Sequence, residues 1–200
     1  SFIETYQKCL RQNPDGVILV PTTLEVTRQF TDELHDRNIP FILLDSYMPS
    51  LQPLSFYGQD SIQSGRFAAR MLMLIAQKEE SIMLMKQTKD GKMASRQQEN
   101  REVGFRHYME ENFPNIKILE VNLPLDEERK RYDHILEKFF SEHPEVHHCI
   151  TLNSKAHIVG KFLLKTHRHN VQIMGYDVVH KNADCLREGS ISFLIAQHAY

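Results

Sequence analysis

The sequence predicts an α/β fold whose parallel sheets are covered by helices on both faces. Three observations carry that expectation. Short uninterrupted apolar runs recur along the 200 residues, segments of helical periodicity separate them, and several runs end at Asp or Asn. Continuous apolar strands belong to sheets buried on both faces, and their alternation with amphipathic helices marks βαβ units. Each crossover is then expected to be right-handed.

The elements follow in order. Phe2, Tyr6, Cys9 and Leu10 share one helical face. Asn13-Pro14-Asp15-Gly16 is a turn sequence leading into a strand over Val17 to Val20. A helix is predicted around Glu25 to Arg37, with Val26, Phe30 and Leu34 on one side. Pro40 interrupts, and Phe41 to Leu44 reads as a strand ending at Asp45. Pro49 to Tyr57 is a non-periodic connection, the candidate passage between two lobes. Beyond it the pattern predicts a helix over 62–77, a strand over 82–85, a helix over 95–112 and a strand over 116–121. A helix over 126–141, a strand over 149–152, a helix over 154–166 and a strand over 171–174 come next. A last short helix around Asp184 is stopped by Gly189, and Phe193 to Ala196 forms the final strand.

Composition narrows the function. The chain is 41% hydrophobic and 25% charged, with a formal net charge of -2 and a pI of about 6.6. Nothing in that balance, and no long basic run, points to a nucleic-acid surface, which needs concentrated Lys and Arg. Cys9, Cys149 and Cys185 are too far apart for zinc-ligand pairs and give no disulfide framework; Cys149, in an apolar run, reads as core. A cytosolic setting is expected, with no membrane span. His143, His147 and His148 around a Pro-Glu turn, and His167 and His169, read as solvated turn residues; no metal or cofactor is expected. Met71, Met73, Met83 and Met85 read as core filling.

In open α/β sheets the functional groups gather at the carboxyl ends of the strands. That filter selects Asp45, Asn153 and Asp177, with Arg101 as a helix-borne cation and Asp60 and Gln197 at the proposed lobe crossings. Carboxylates accept hydroxyl protons, Arg donates in a fixed fork, and the amides do both, so the set suits a polyol. Phe56 or Tyr57 would supply an apolar wall. Each residue also has a plainer role. Asp45 and Asp177 can cap the turns behind them, Asp60 and Asn153 can cap helices, and Arg101 can lie on a solvated face beside Glu99 and Glu102. Gln197 is ambiguous on spacing alone. No nucleophile elbow, Cys-His arrangement or phosphate loop is present, so an α/β enzyme lacks its reactive group.

In order and spacing, NPDGVILVPT (13–22), NIPFILLDS (38–46), DSIQSGRFAARML (60–72), RQQENREVGFRHYM (96–109), LNSKAHIVGKFL (152–163), VQIMGYDVV (171–179) and LREGSISFLIAQ (186–197) form a consistent set. With these the chain resembles the effector-binding domain of lactose-repressor-type transcription regulators, whose fold is shared with periplasmic sugar-binding proteins. The resemblance implies two Rossmann-like lobes closing on a small ligand, commonly a sugar. Residues 1–59 would be a partial first lobe, 60–196 the second lobe, and 197–200 the return crossover.

The same resemblance puts the ligand-contacting aspartate at the start of the second lobe on Asp60. It puts the helix arginine of the R-x-x-G-F element on Arg101, the post-strand asparagine on Asn153, the G-Y-D aspartate on Asp177, and the return-crossing glutamine on Gln197. The aspartate ending the first-lobe strand falls on Asp45, followed here by Ser46 where many members carry Arg. The implied function is effector binding that modulates the operator affinity of a DNA-binding headpiece outside this chain. The full-length regulator would be a cytoplasmic homodimer. The alternative is a solute-binding protein or the sensor module of a membrane histidine kinase. A leader or membrane span upstream would mark those, and a helix-turn-helix with a hinge the regulator.

Overall fold

The computed structural model describes residues 2–89, 92–93, 95–125 and 129–197. The chain divides into two compact units, residues 1–60 with 95–97, and residues 61–94 with 98–200. As the sequence predicts, both are α/β and built on parallel sheets.

In the first unit, α1 (Phe2–Arg11), β1 (Val17–Leu19), α2 (Leu24–Asp36), β2 (Phe41–Leu44) and β3 (Ser55–Tyr57) follow one another. The sheet order is β1-β2-β3, all parallel, with Ile18 opposite Ile42 and Ile42 opposite Ser55. Strand alternation sends Leu19, Phe41 and Leu43 into a core with Tyr6, Leu10, Phe30 and Leu34. Tyr6 stacks on Phe30 at 4.9 Å.

One expectation is corrected here. The stretch from Pro49 to Tyr57 is no plain connection: it holds a 3₁₀ turn at Pro49–Leu51 and then strand β3. Three residues are too few to show a period, and Pro49 and Pro53 mask them. Phe56 packs against the first unit's core, and Tyr57 is exposed.

The second unit runs α3 (Ser61–Leu72), β4 (Ser81–Lys89), β5 (Lys92–Met93), α4 (Arg96–Asn112, its first two residues counted with the first unit), β6 (Lys117–Pro124), α5 (Arg129–Glu142) and β7 (His148–Thr151). It continues with α6 (Ala156–Lys165), β8 (Gln172–Tyr176), α7 (His180–Arg187) and β9 (Ile191–Ile195). Five parallel strands lie in the order β6-β4-β7-β8-β9, and β5 pairs antiparallel with the end of β4. Period-2 alternation divides the apolar runs between two cores. Met83, Met85, Cys149 and Ile173 pack with α5, α6 and α7, while Ile82, Leu84, Ile150 and Met174 pack with α3 and α4. This double covering is why the strands read as continuous apolar runs. Cys149 is a core residue, as expected, and burial pushes its thiol pKa far up.

Smaller differences have local causes. The helix expected over 62–77 ends at Leu72 and continues as hydrogen-bonded turns to Ala76. The helix expected from Asp126 is described from Arg129, and 126–128 lie outside the described residues. The final strand begins at the buried Ile191, earlier than its aromatic residue suggests.

Candidate ligand-binding site

Chain order reverses across the second sheet. From β4 the chain goes out to the edge strand β6 and returns to β7 on β4's other side. The helices after β4 and β7 therefore cover opposite faces, and in open α/β sheets ligands bind at the carboxyl ends of strands where the order reverses in this way. Arg101, Asn153, Asp177 and Gln197 all come to this end of the sheet.

Arg101 is 2% exposed, although Glu99 and Glu102 lie beside it in sequence. Its helix is held very close to α3. A Cβ on Gly65 would lie 1.9 Å from the Arg101 carbonyl oxygen, and one on Gly104 would lie 1.9 Å from that of Ile62. Only glycine allows two helix backbones so near, and the contact fixes where Arg101 starts from. On α4's other side Glu102 accepts from Lys86 at 3.1 Å and from Arg106 at 2.8 Å, while Glu120 of β6 pairs with the same two cations.

A guanidinium withdrawn from water needs compensation from acceptors and polarizable surfaces. Arg101 lies over the Tyr176 ring at 4.0 Å and donates to the Leu152 carbonyl at 3.0 Å and to Gln197 Oε1 at 2.7 Å. Gln197 Nε2 in turn donates to Asp177 Oδ1 at 2.7 Å. A cation and a carboxylate are thus joined through one exposed amide. Tyr176 closes the floor, its hydroxyl donating to the Ser64 carbonyl at 2.9 Å and meeting Ser64 Oγ at 2.9 Å. Burial raises the phenol pKa, against the lowering effects of the Ser64 bond and Arg101, so the ring stays neutral.

Asn153 is not the cap of the following helix, since α6 starts at Ala156 with Lys155 at its cap. Its Oδ1 accepts from the Thr151 hydroxyl at 3.1 Å and from the Lys155 amide at 2.9 Å, which turns the chain into α6. Its Nδ2 donates to Gln98 Oε1, and Gln98 Nε2 donates to the Gln87 carbonyl at 3.2 Å. Asp177 is no helix cap, since α7 starts at His180 with Val179 at its cap. It takes a left-handed φ of 63°. The solvated-face reading of Arg101 is likewise replaced, because helix packing buries it. Asp45 and Asp60 belong to the first unit, Asp45 at the end of β2 with φ 67° and Asp60 immediately before α3.

The sequence reading missed three residues here. Gln98 sits three positions before Arg101, a spacing that puts both on one helix face, and so was findable. Tyr176 follows Met174 at strand period, and its one signal is a hydroxyl where an aliphatic would serve. Asn182, 0% exposed on α7, carries no periodic signal. Among the described residues no group of three or more His, Cys, Asp or Glu is disposed to hold a metal ion. His148 is not a solvated turn residue: it is half-buried and bonds Glu79 at 2.9 Å.

The profile of the periplasmic binding protein domain family matches residues 1–200. A protein assigned as a LacI transcriptional regulator from Bacteroides fragilis is 46% identical, over 98% of this chain and 68% of that one, with a TM-score of 0.90. A carbohydrate transporter solute-binding protein from Agrobacterium radiobacter, solved in complex with D-arabinose, is 21% identical over 98% and 66%, with a TM-score of 0.79. GanP, a glucose-galactose binding protein from Geobacillus stearothermophilus, is 21% identical over 94% and 66%, with a TM-score of 0.78. At that identity the last two show the fold alone. This chain spans about two thirds of the length of these proteins. No curated protein matches it. With its whole length under one family profile and 46% identity to a LacI-assigned regulator of the same fold, the chain belongs to the periplasmic binding protein domain family.

Proposed function

We propose that this chain is the effector-binding module of a LacI-type transcription regulator and that its effector is an uncharged sugar. The ligand is held at the carboxyl ends of the second unit's strands by Arg101, Asn153, Asp177 and Gln197. By family resemblance, Asp45 and Asp60 of the first unit contribute further contacts. The observation that carries this reading is the Arg101–Gln197–Asp177 string across the carboxyl ends of β7, β8 and β9. It joins a carboxylate acceptor, an exposed amide and a buried cation, the donor and acceptor types that a ring of hydroxyls requires. The 46% identity to a LacI-assigned protein favours the regulator over a solute-binding protein.

No bond is made or broken in this function, and the carboxylates act as hydrogen-bond partners. Sugar binding stabilises one conformation of the full-length cytoplasmic homodimer and thereby changes the operator affinity of its headpiece. This requires different affinities of the sugar for two states. The test is calorimetric titration with D-arabinose, D-tagatose, D-glucose and D-galactose, for the full-length protein and for Asp177→Ala. Saturable binding of at least one sugar, weakened tenfold or more in the variant (about 1.4 kcal/mol), is expected. Equal binding by both proteins would remove Asp177 from the site. Operator affinity that does not respond to the bound sugar would remove the regulator output.

A further inference from the structure

We propose that Asn182 is the positioning residue of this site: one buried side-chain amide sets the direction of the Asp177 carboxylate and locks it to the turn that carries Asn153. The inference rests on the reading of Asp177 as a ligand contact. Asn182 Nδ2 donates to the carbonyls of Tyr176 at 3.0 Å and Asp177 at 2.9 Å. These two carbonyls flank the Asp177 Cα, so a single nitrogen grips both peptide units whose rotation defines that residue. The same nitrogen reaches the Ser154 carbonyl at 3.1 Å, in the turn after β7.

Asp177 has a reason to be gripped. Its φ of 63° is uncommon for a residue with a side chain, and such conformations persist where the surroundings over-determine them. Backbone bonds restrain the same turn, Asp177 N–H to the Ile195 carbonyl at 2.9 Å and Tyr176 N–H to the Asn153 carbonyl at 3.2 Å, and Gln197 Nε2 holds the carboxylate itself at 2.7 Å. Asn182 adds a side chain that bonds the backbone of both turns, the one after β7 and the one after β8.

The orientation of this amide is itself fixed. Its Oδ1 accepts from the His157 backbone N–H at 2.9 Å and from His157 Nδ1 at 3.0 Å. Both are donors when the imidazole proton sits on Nδ1, so the oxygen end faces α6 and the nitrogen end faces Asp177. Burial lowers the His157 pKa, against the raising effect of this bond, and favours the neutral ring.

A plainer role is available, because Oδ1 also serves the first turn of α6. Asn182→Asp separates the two: it is isosteric, keeps an acceptor for His157, and loses every donor to the three carbonyls. Asn182→Ser, smaller and uncharged, is the companion variant should the buried carboxylate prevent folding. Two measurements are made on the full-length protein. Crystal structures report the φ of Asp177 and its distance to Gln197 Nε2. Titrations with D-glucose and D-galactose, which differ at one hydroxyl, report both affinity and the ratio between epimers.

A variant in which Asp177 leaves its left-handed conformation, affinity falls at least tenfold and the epimer ratio narrows at least threefold supports the proposal. Loss of folded protein alone would lower both affinities equally and leave the ratio unchanged, which overturns it. Asp177 unmoved in the crystal also overturns it, whatever the titrations show. If neither sugar binds the wild type, the sugar reading fails separately, and the crystallographic comparison still decides the role of Asn182.

Discussion

Replacing Gly104 by Ala tests the claim that helix contact places Arg101. The added Cβ would stand 1.9 Å from the Ile62 carbonyl oxygen, 2.7 Å from its carbon and 3.1 Å from the Arg66 nitrogen. An ordinary carbon–oxygen approach is about 3.3 Å, so α3 and α4 must part by about 1.4 Å. Neither neighbour is a flexible side chain that can swing away; both are helix backbone. Overpacking of this kind costs about 1–3 kcal/mol, and a rigid backbone clash belongs at the upper end. Alanine in a helix regains about 1 kcal/mol over glycine. The net expectation is a loss of about 2 kcal/mol, read as a lower midpoint in urea with the slope unchanged. Gly65→Ala meets the Arg101 carbonyl in the same seam, so the double variant should lose less than the sum of the singles. Because Arg101 rides on the displaced helix, sugar affinity should fall with stability. A neutral or stabilising Gly104→Ala would refute the argument.

Two other expectations concern groups around the same site. Tyr176→Phe deletes the hydroxyl that meets Ser64 twice while leaving the ring beneath Arg101, so stability should drop by about 1–2 kcal/mol in urea titration. Sugar affinity should stay within twofold, and a large loss of binding would assign the hydroxyl to the ligand. His157 gives a pH effect of determined sign. Its folded pKa is depressed, by burial first and then by Lys181, Lys155 and Lys161, although its bond to Asn182 opposes this. The unfolded chain therefore binds the proton more readily. That contribution to stability is complete above the unfolded pKa of about 6.5 and is lost as pH falls through the lower folded value. His157→Gln should flatten urea stability against pH just below that point, and parallel curves would show that His157 contributes nothing there.

The fold was legible because burial on both faces writes itself into the sequence. Phe41–Leu44 and the apolar runs around Ile82, Cys149 and Ile173 have few polar interruptions, and helices with an apolar stripe fill the gaps. Strand β3 escaped because three residues close behind Pro49 and Pro53 hold no period. Within the site, the residues at strand ends were reachable from topology, since Asn153 and Asp177 each follow a run of buried apolar residues. Their partners were not. Gln197 meets Arg101 across 96 residues of sequence and Asp177 across 20, and no local pattern encodes either contact. Asn182 is the extreme case: a buried asparagine on a short polar helix looks, in sequence, like a surface residue.

The amide of Gln197 between Arg101 and Asp177 has a bearing on how the site meets its solvent. A positive and a negative group, coupled through one dipole, present no net monopole from this string to an approaching molecule. Ionic strength acts on unbalanced charge over a Debye length of about 8 Å, and it has little purchase on such an arrangement. Capture of a neutral solute by these residues would therefore proceed almost equally in dilute and in concentrated electrolyte, leaving recognition to the geometry of hydroxyls.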